Sequence, residues 1–245
     1  MTMILNPYRF SPGGGGGPST GWIGWKGFSH ESASPQTVSL TDLVDADDNP
    51  ISLEENDIVV VTFANAVTDS TQAAMTPTGY TAAHADLFAN DSNDTSFLVS
   101  YKVMGSTPDT DVEIPATASA WCVVSHIMVL RGIDTSNPLD VAATTATGGN
   151  SGLPNPPSIT PVTTGAVITC HGASMGNSAS AFTAPAQLEN FRSPFRTTSG
   201  KGNVMVGVGS ADWGGGAFDA DAFSGGYTAG TSSWCASTIA WRPAP

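Results

Sequence analysis

The stretch Ala120–Pro138, AWCVVSHIMVLRGIDTSNP, holds the longest nearly continuous apolar run of the 245-residue chain and ends in a polar turn closed by proline. Its valines, isoleucine and tryptophan suit a pleated, packed surface, so it reads as a central β-strand of roughly ten residues. Odd and even positions are both apolar apart from Ser125 and His126, so both faces of this strand are expected to be covered. A second tryptophan–cysteine strand, Trp234–Arg242 (WCASTIAWR), closes the chain.

Outward from these two segments the same pattern recurs. Ile58–Ala64 (IVVVTFA) is a buried-type run, and Trp22–Phe28 and Gln36–Leu40 are two short strands. In Phe97–Met104, Phe97, Val99, Tyr101 and Val103 face one way and Ser100 and Lys102 the other, the pattern of a half-buried antiparallel strand. The second half repeats this order. Ala166–His171 stands where Ile58–Phe63 stood, Val204–Ser210 where Phe97–Val103 stood, and Trp234 where Trp121 stood. Thr183-Ala184-Pro185 echoes Thr81-Ala82-Ala83. Between the halves, Ala142–Pro161 is rich in Thr, Gly and Pro and nearly uncharged, as a long crossover would be. Neither half sustains a helical apolar period. The expected fold is all-β, about ten strands in a two-sheet antiparallel sandwich of jelly-roll-like form, with two related β-halves.

Composition agrees. Only 12% of residues are charged, while Gly 27 and Pro 17 are high, which fits many short strands joined by turns. The 40% apolar content offsets the ordering entropy of a single β-sandwich domain over residues 22–245. The formal charge of −13, with eight Lys and Arg spread singly, provides no basic patch for phosphates and argues against nucleic-acid binding. The three cysteines lie inside expected strands and read as buried thiols of a protein made in a reducing cytoplasm. The start MTMILNPYRF has neither the basic nor the long apolar region of a signal peptide, and Ile114–Leu130 is too short and interrupted to span a bilayer. Such a chain can still leave a cell inside an assembled particle.

Residues 1–21 form a separate unit, a short apolar-aromatic peptide followed by Gly13–Gly17 between prolines. Polyglycine has the greatest backbone entropy to lose and cannot hold structure alone, so it serves as a tether. Ile4, Leu5, Pro7, Tyr8, Arg9 and Phe10 are then the partner-binding residues of an anchoring arm. The simpler reading is a frayed terminus.

Candidate chemistry is sparse. Gly172-Ala173-Ser174-Met175-Gly176 matches G-x-S-x-G, but no helix signal follows it, and all four histidines (His30, His84, His126, His171) precede Ser174, contrary to a nucleophile elbow. Cys122 with His126, Cys170 with His171, and Cys235 lack the paired short spacing of zinc ligands and read as core thiols and satisfied core histidines. Asp45, Asp47 and Asn49 start like a calcium loop without its glycine and distal glutamate, and Asp212, Asp219 and Asp221 read as turn residues. The glutamates lie mostly in turns, a poor basis for glycoside hydrolysis. No catalytic residue, metal or cofactor is expected. The best ligand-binding tip is Asp212, Trp213 and Phe218, aromatic residues around Gly214–Gly216; the competing reading folds Trp213 back to plug a sandwich end.

Several motifs resemble those of phage and prophage virion proteins. The opening Asn6–Phe10 (NPYRF) before a Gly-rich link is similar to the starts of phage structural and tail-appendage proteins. Asn56–Val61, Ser100–Val103, Trp121–Asp140, Pro161–Val167 and Trp234–Pro243 resemble a β-sandwich module recurring in such proteins. The resemblance implies a non-enzymatic virion structural protein, made in the host cytoplasm and located in the virion. It would decorate the capsid or form part of a tail appendage, bound to other virion proteins through its arm, with a homotrimer the usual state and no membrane or nucleic-acid partner. The alternative is a carbohydrate-binding adsorption module, with Trp213 and Phe218 on a host-surface glycan.

Overall fold

The computed structural model describes residues 20–30, 35–67, 75–89, 94–115, 122–149, 153–176, 180–196, 203–226 and 232–245. The expected anchoring residues Ile4, Leu5, Pro7, Tyr8, Arg9 and Phe10, and Trp121, lie outside them. Every regular element among the described residues is a strand. The first half supplies β1 (Gly21–His30), β2 (Gln36–Ser39), β3 (Ile58–Val67), β4 (Thr81–Ala82), β5 (Leu87–Ala89), β6 (Asp94–Val103), β7 (Asp111–Ile114) and β8 (Cys122–Arg131). The second supplies β9 (Thr144–Gly148), β10 (Val167–Gly176), β11 (Phe182–Thr183), β12 (Glu189–Arg192), β13 (Phe195–Arg196), β14 (Asn203–Asp212), β15 (Ser224–Gly225) and β16 (Trp234–Trp241).

These strands build two antiparallel sheets of matching order. One runs β1-β8-β3-β6-β4 with β5 also on β6, the other β9-β16-β10-β14-β12 with β13 also on β14. The match extends to register. Ile58 pairs with Val103 and Val167 with Asp212, and all ten pairs of β3 with β6 recur between β10 and β14 shifted by 109 positions. The two related halves therefore exist as two sheets. The Thr81/Thr183 echo does not hold, because β4 pairs with β6 whereas β11 pairs with β15 outside the main sheet.

The sheets lie face to face. β8 packs on β14 and β16 on β6, while β3 meets β10, so a pseudo-two-fold axis exchanges the halves. Residues alternate across each strand. Val60, Ala64, Phe97, Val99, Val124 and Met128 from one sheet thus meet Ala173, Val206, Val208, Ile239 and Trp241 from the other. This is a two-sheet sandwich, but the interleaved jelly-roll connectivity is not found. A jelly roll draws each sheet from both ends of the chain, whereas here each half closes its own sheet before the next begins.

The outer faces are covered too. The β2–β7 ribbon, with Leu43 and Met75, lies over Val59, Val61, Phe63, Leu98, Ile127 and Val129. Phe182, Leu188 and Phe223 lie over Ile168, Cys170 and Met205. Hence Ser100, expected on a solvated face, is only 1% exposed; the covering layer comes from short strands with weak patterns. The expected crossover Ala142–Pro161 carries β9, the edge strand beside β16.

Candidate functional site

At the centre of the inter-sheet layer the pseudo-symmetry places four polar residues. His126 pairs with Thr62 across β8 and β3, and Ser237 with His171 across β16 and β10. Thr62 and His171 occupy equivalent positions and touch each other, Oγ1 to Nδ1 at 2.7 Å, as a contact on a two-fold axis must. The other ring nitrogen of His171 lies 2.8 Å from Thr169 Oγ1, which also accepts from Trp241 Nε1 at 2.8 Å. The indole can only donate, so a chain that uses each group once runs Trp241 to Thr169 to His171 to Thr62. Burial keeps His171 well below the usual histidine range, reinforced by His126 and His84 nearby.

His126 differs. It is fully buried, and neither ring nitrogen has a hydrogen-bond partner. The satisfied core histidine expected from sequence is thus His171 alone. The ring of His126 stacks on Trp25 at 5.7 Å and 12°, while Gly27 stands opposite it on β1. Burial, with the positive Arg192 nearby, lowers its pKa to about 3. Arg192 enters from the edge of the other sheet, its guanidinium 5.1 Å from the Trp25 ring centre and 5.9 Å from that of Trp22. Two tryptophans on one sheet edge thus hold a cation from the other, each contact worth about 0.5–1 kcal/mol. The sequence offered Trp22 and Trp25 three residues apart and a lone arginine, but nothing joined them.

The other candidates fall into structural roles. Ser174 lies mid-strand on β10, fully buried, and donates to the Ser233 carbonyl at 3.1 Å. The glycines that complete its motif belong to a packed strand rather than a turn. Cys122, Cys170 and Cys235 are buried thiols. Burial pushes Cys170 up to about 12 despite its contact with Thr238, and raises Cys235 as well. Asp45 accepts from the backbone of Asp47 at 2.8 Å and of Asn49 at 3.0 Å, so the acidic loop closes on its own carboxylate. Among the described residues no three His, Cys, Asp or Glu gather as metal ligands.

The expected tip has Asp212 exposed at the end of β14, with Trp213 and Phe218 half-buried against the outer face of the second sheet. Trp213 Nε1 donates to the Gly216 carbonyl at 2.9 Å, and Phe218 bridges to Ile159 through two backbone bonds. The aromatic faces turn inward, and open space surrounds Gly214–Gly216.

Two corner motifs position this layer. Arg131 ends β8 and clamps Asp57, Nε to Oδ1 at 2.7 Å and Nη2 to Oδ2 at 2.8 Å. Arg242, in the equivalent place after β16, reaches Asp140 at 3.4 Å. Asp140 also accepts the backbone of Val162 at 2.6 Å and Thr163 at 3.1 Å. Burial would raise its carboxyl, but these bonds hold it below the usual range. A cleft of about 410 Å³ beside Arg131 is lined by Glu54, Glu55, Asp134 and Ala244, but its only cation is committed to Asp57 and Glu54. Comparison with known proteins gave no match among family models, curated proteins or solved structures.

Proposed function

We propose that this chain is a non-enzymatic structural protein of a bacteriophage virion, decorating the capsid or forming part of a tail appendage. It attaches through Ile4, Leu5, Pro7, Tyr8, Arg9 and Phe10. The observation that carries the reading is where the reactive side chains go. Ser174, His126, His171, Cys122, Cys170 and Cys235 are all wholly buried within or between packed layers, out of a substrate's reach. The corner arginines are committed to carboxylates, Arg131 to Asp57 and Arg242 to Asp140. The motifs that resemble virion modules coincide with these strands and corners.

The experiment is assembly of particles with the full chain and with a chain lacking residues 1–12. The shortened chain is expected to fold and to be missing from purified particles, while the full chain is present. Incorporation of both at equal copy number would contradict the reading. Glycan binding lost in Trp213→Ala would favour the adsorption module instead.

A further inference from the structure

We propose that acid opens this molecule along the plane between its two sheets, with His126 and His171 as the groups whose protonation drives them apart. The opening is a device separate from the proposed virion role. The geometry is that of a joint without a counter-charge. His126 sits between β8, β1 and the opposing sheet with both ring nitrogens unpartnered. His171 on β10 lies against Thr62, the cross-strand neighbour of His126, and is bonded only to the neutral hydroxyls of Thr62 and Thr169.

The ionisable or charged groups that approach this layer are few. Among the described side chains of β1 the one charged group, Lys26, bonds Asp42. β8 and β16 bring the thiols Cys122 and Cys235, β6 the phenol of Tyr101, the loop after β4 brings His84, β12 brings Arg192, and β13 brings Arg196, opposite Val204 of β14. Carboxylates stay at the margins: Asp57 and Asp140 are held at the corners by Arg131 and Arg242, Asp86 lies beside His84, Asp212 at the exposed end of β14, and Glu189 exposed on β12. Among the described residues none pairs with an imidazole. A proton added to either central ring therefore creates a buried cation with no anion to meet it, and with Arg192 already present. Such a charge is accommodated only by admitting water. Each sheet keeps its own hydrogen-bond ladder if the two separate, so the sheets come apart before their strands do.

The direction of the shifts agrees. Both rings are harder to protonate folded than unfolded, so the open state binds more protons below about pH 6.5, and its share grows about tenfold per pH unit for each ring. Ordinary carboxylates take up protons only near pH 4, so the upper part of this window belongs to histidine.

The test follows the full-length chain from neutral to about pH 4.5, above the ordinary carboxylate range. Tryptophan emission reads the joint, because Trp25 stacks on His126 and Trp241 is fully buried, and far-ultraviolet circular dichroism reads the strands. We expect emission to change while the strand signal persists, to recover at neutral pH, and to move to lower pH in His126→Phe, which keeps the stack without a titrating group. Should that variant not fold, ring resonances of the wild-type chain decide: His126 and His171 are expected to protonate only together with the emission change. An unchanged emission down to about pH 4.5, an unmoved transition in the variant, or rings that titrate while the joint stays closed would overturn the proposal.

Discussion

Phe63 and Leu98 form a cross-strand pair on the outer face of the first sheet; in the second sheet the same pair is Gly172 and Gly207. The first sheet fills its outer layer with its own side chains, over which a thin ribbon suffices. The second leaves bare backbone and takes rings from its cover. A methyl on Gly207 would come within 2.8 Å of Phe223 and 3.0 Å of Phe191, and one on Gly172 within 2.6 Å of Pro154. Glycine normally weakens a strand. Here it admits Phe223, which meets Phe191 edge-on at 5.3 Å and Phe182 at 5.8 Å. Two sheets of equal register can thus exchange which layer supplies the volume, provided the total stays filled.

The largest expected effect lies on the shared inner face. Trp241 stands in the second sheet where Leu130 stands in the first, each beside the first residue of its central strand. Trp241→Ala should cost about 4 kcal/mol in urea unfolding, through lost packing and a broken hydrogen-bond chain, against about 3 kcal/mol for Leu130→Ala. Equal costs would mean the two sites are energetically interchangeable. Next come the corners. Asp57→Asn leaves Arg131 without its two-pronged partner and should cost about 3 kcal/mol. Asp140→Asn retains part of its backbone bonding and should lose less, about 2 kcal/mol. A reversed order in thermal unfolding would show that the second corner carries the greater load.

The outer faces give a smaller contrast. Gly207→Ala adds strand propensity but intrudes on Phe223 and Phe191, so it should destabilise by about 2 kcal/mol through overpacking. A neutral or stabilising result would show that the aromatic cover yields. The smallest increment is in pH. His126 and His171 are depressed in the folded protein, so their contribution is whole above about pH 6.5 and declines as pH falls, by about 1.4 kcal/mol per unit for each ring. Calorimetry of the wild type against His126→Phe should show the shallower pH slope in the variant.

Much of this fold was legible because apolar runs long enough to fill both faces, such as Ile58–Ala64 and Cys122–Leu130, admit few other readings. The duplicated order was visible in those same runs. The outer layers were not, since β11 and β15 have two residues each and Phe191 and Phe223 sit where no alternation precedes them. Gly172 entered the sequence reading only through a G-x-S-x-G match that lacked its helix and histidine, and its role shows once the rings above it are seen. His126 and His171 stood out as polar residues within buried strands. That both adjoin Thr62 depends on strand register and sheet packing, which spacing along the chain does not encode. Of the two readings of Trp213, exposed tip or ring folded back, the inward turn against the second sheet is the one found.

Two register-matched sheets meet about Thr62 and His171. The most direct measurement is a nuclear Overhauser contact between the Thr62 methyl and the His171 ring in the full chain near neutral pH. The account predicts this contact together with the within-sheet contacts of Thr62 to His126 and His171 to Ser237. Within-sheet contacts present and the contact between the sheets missing would contradict it.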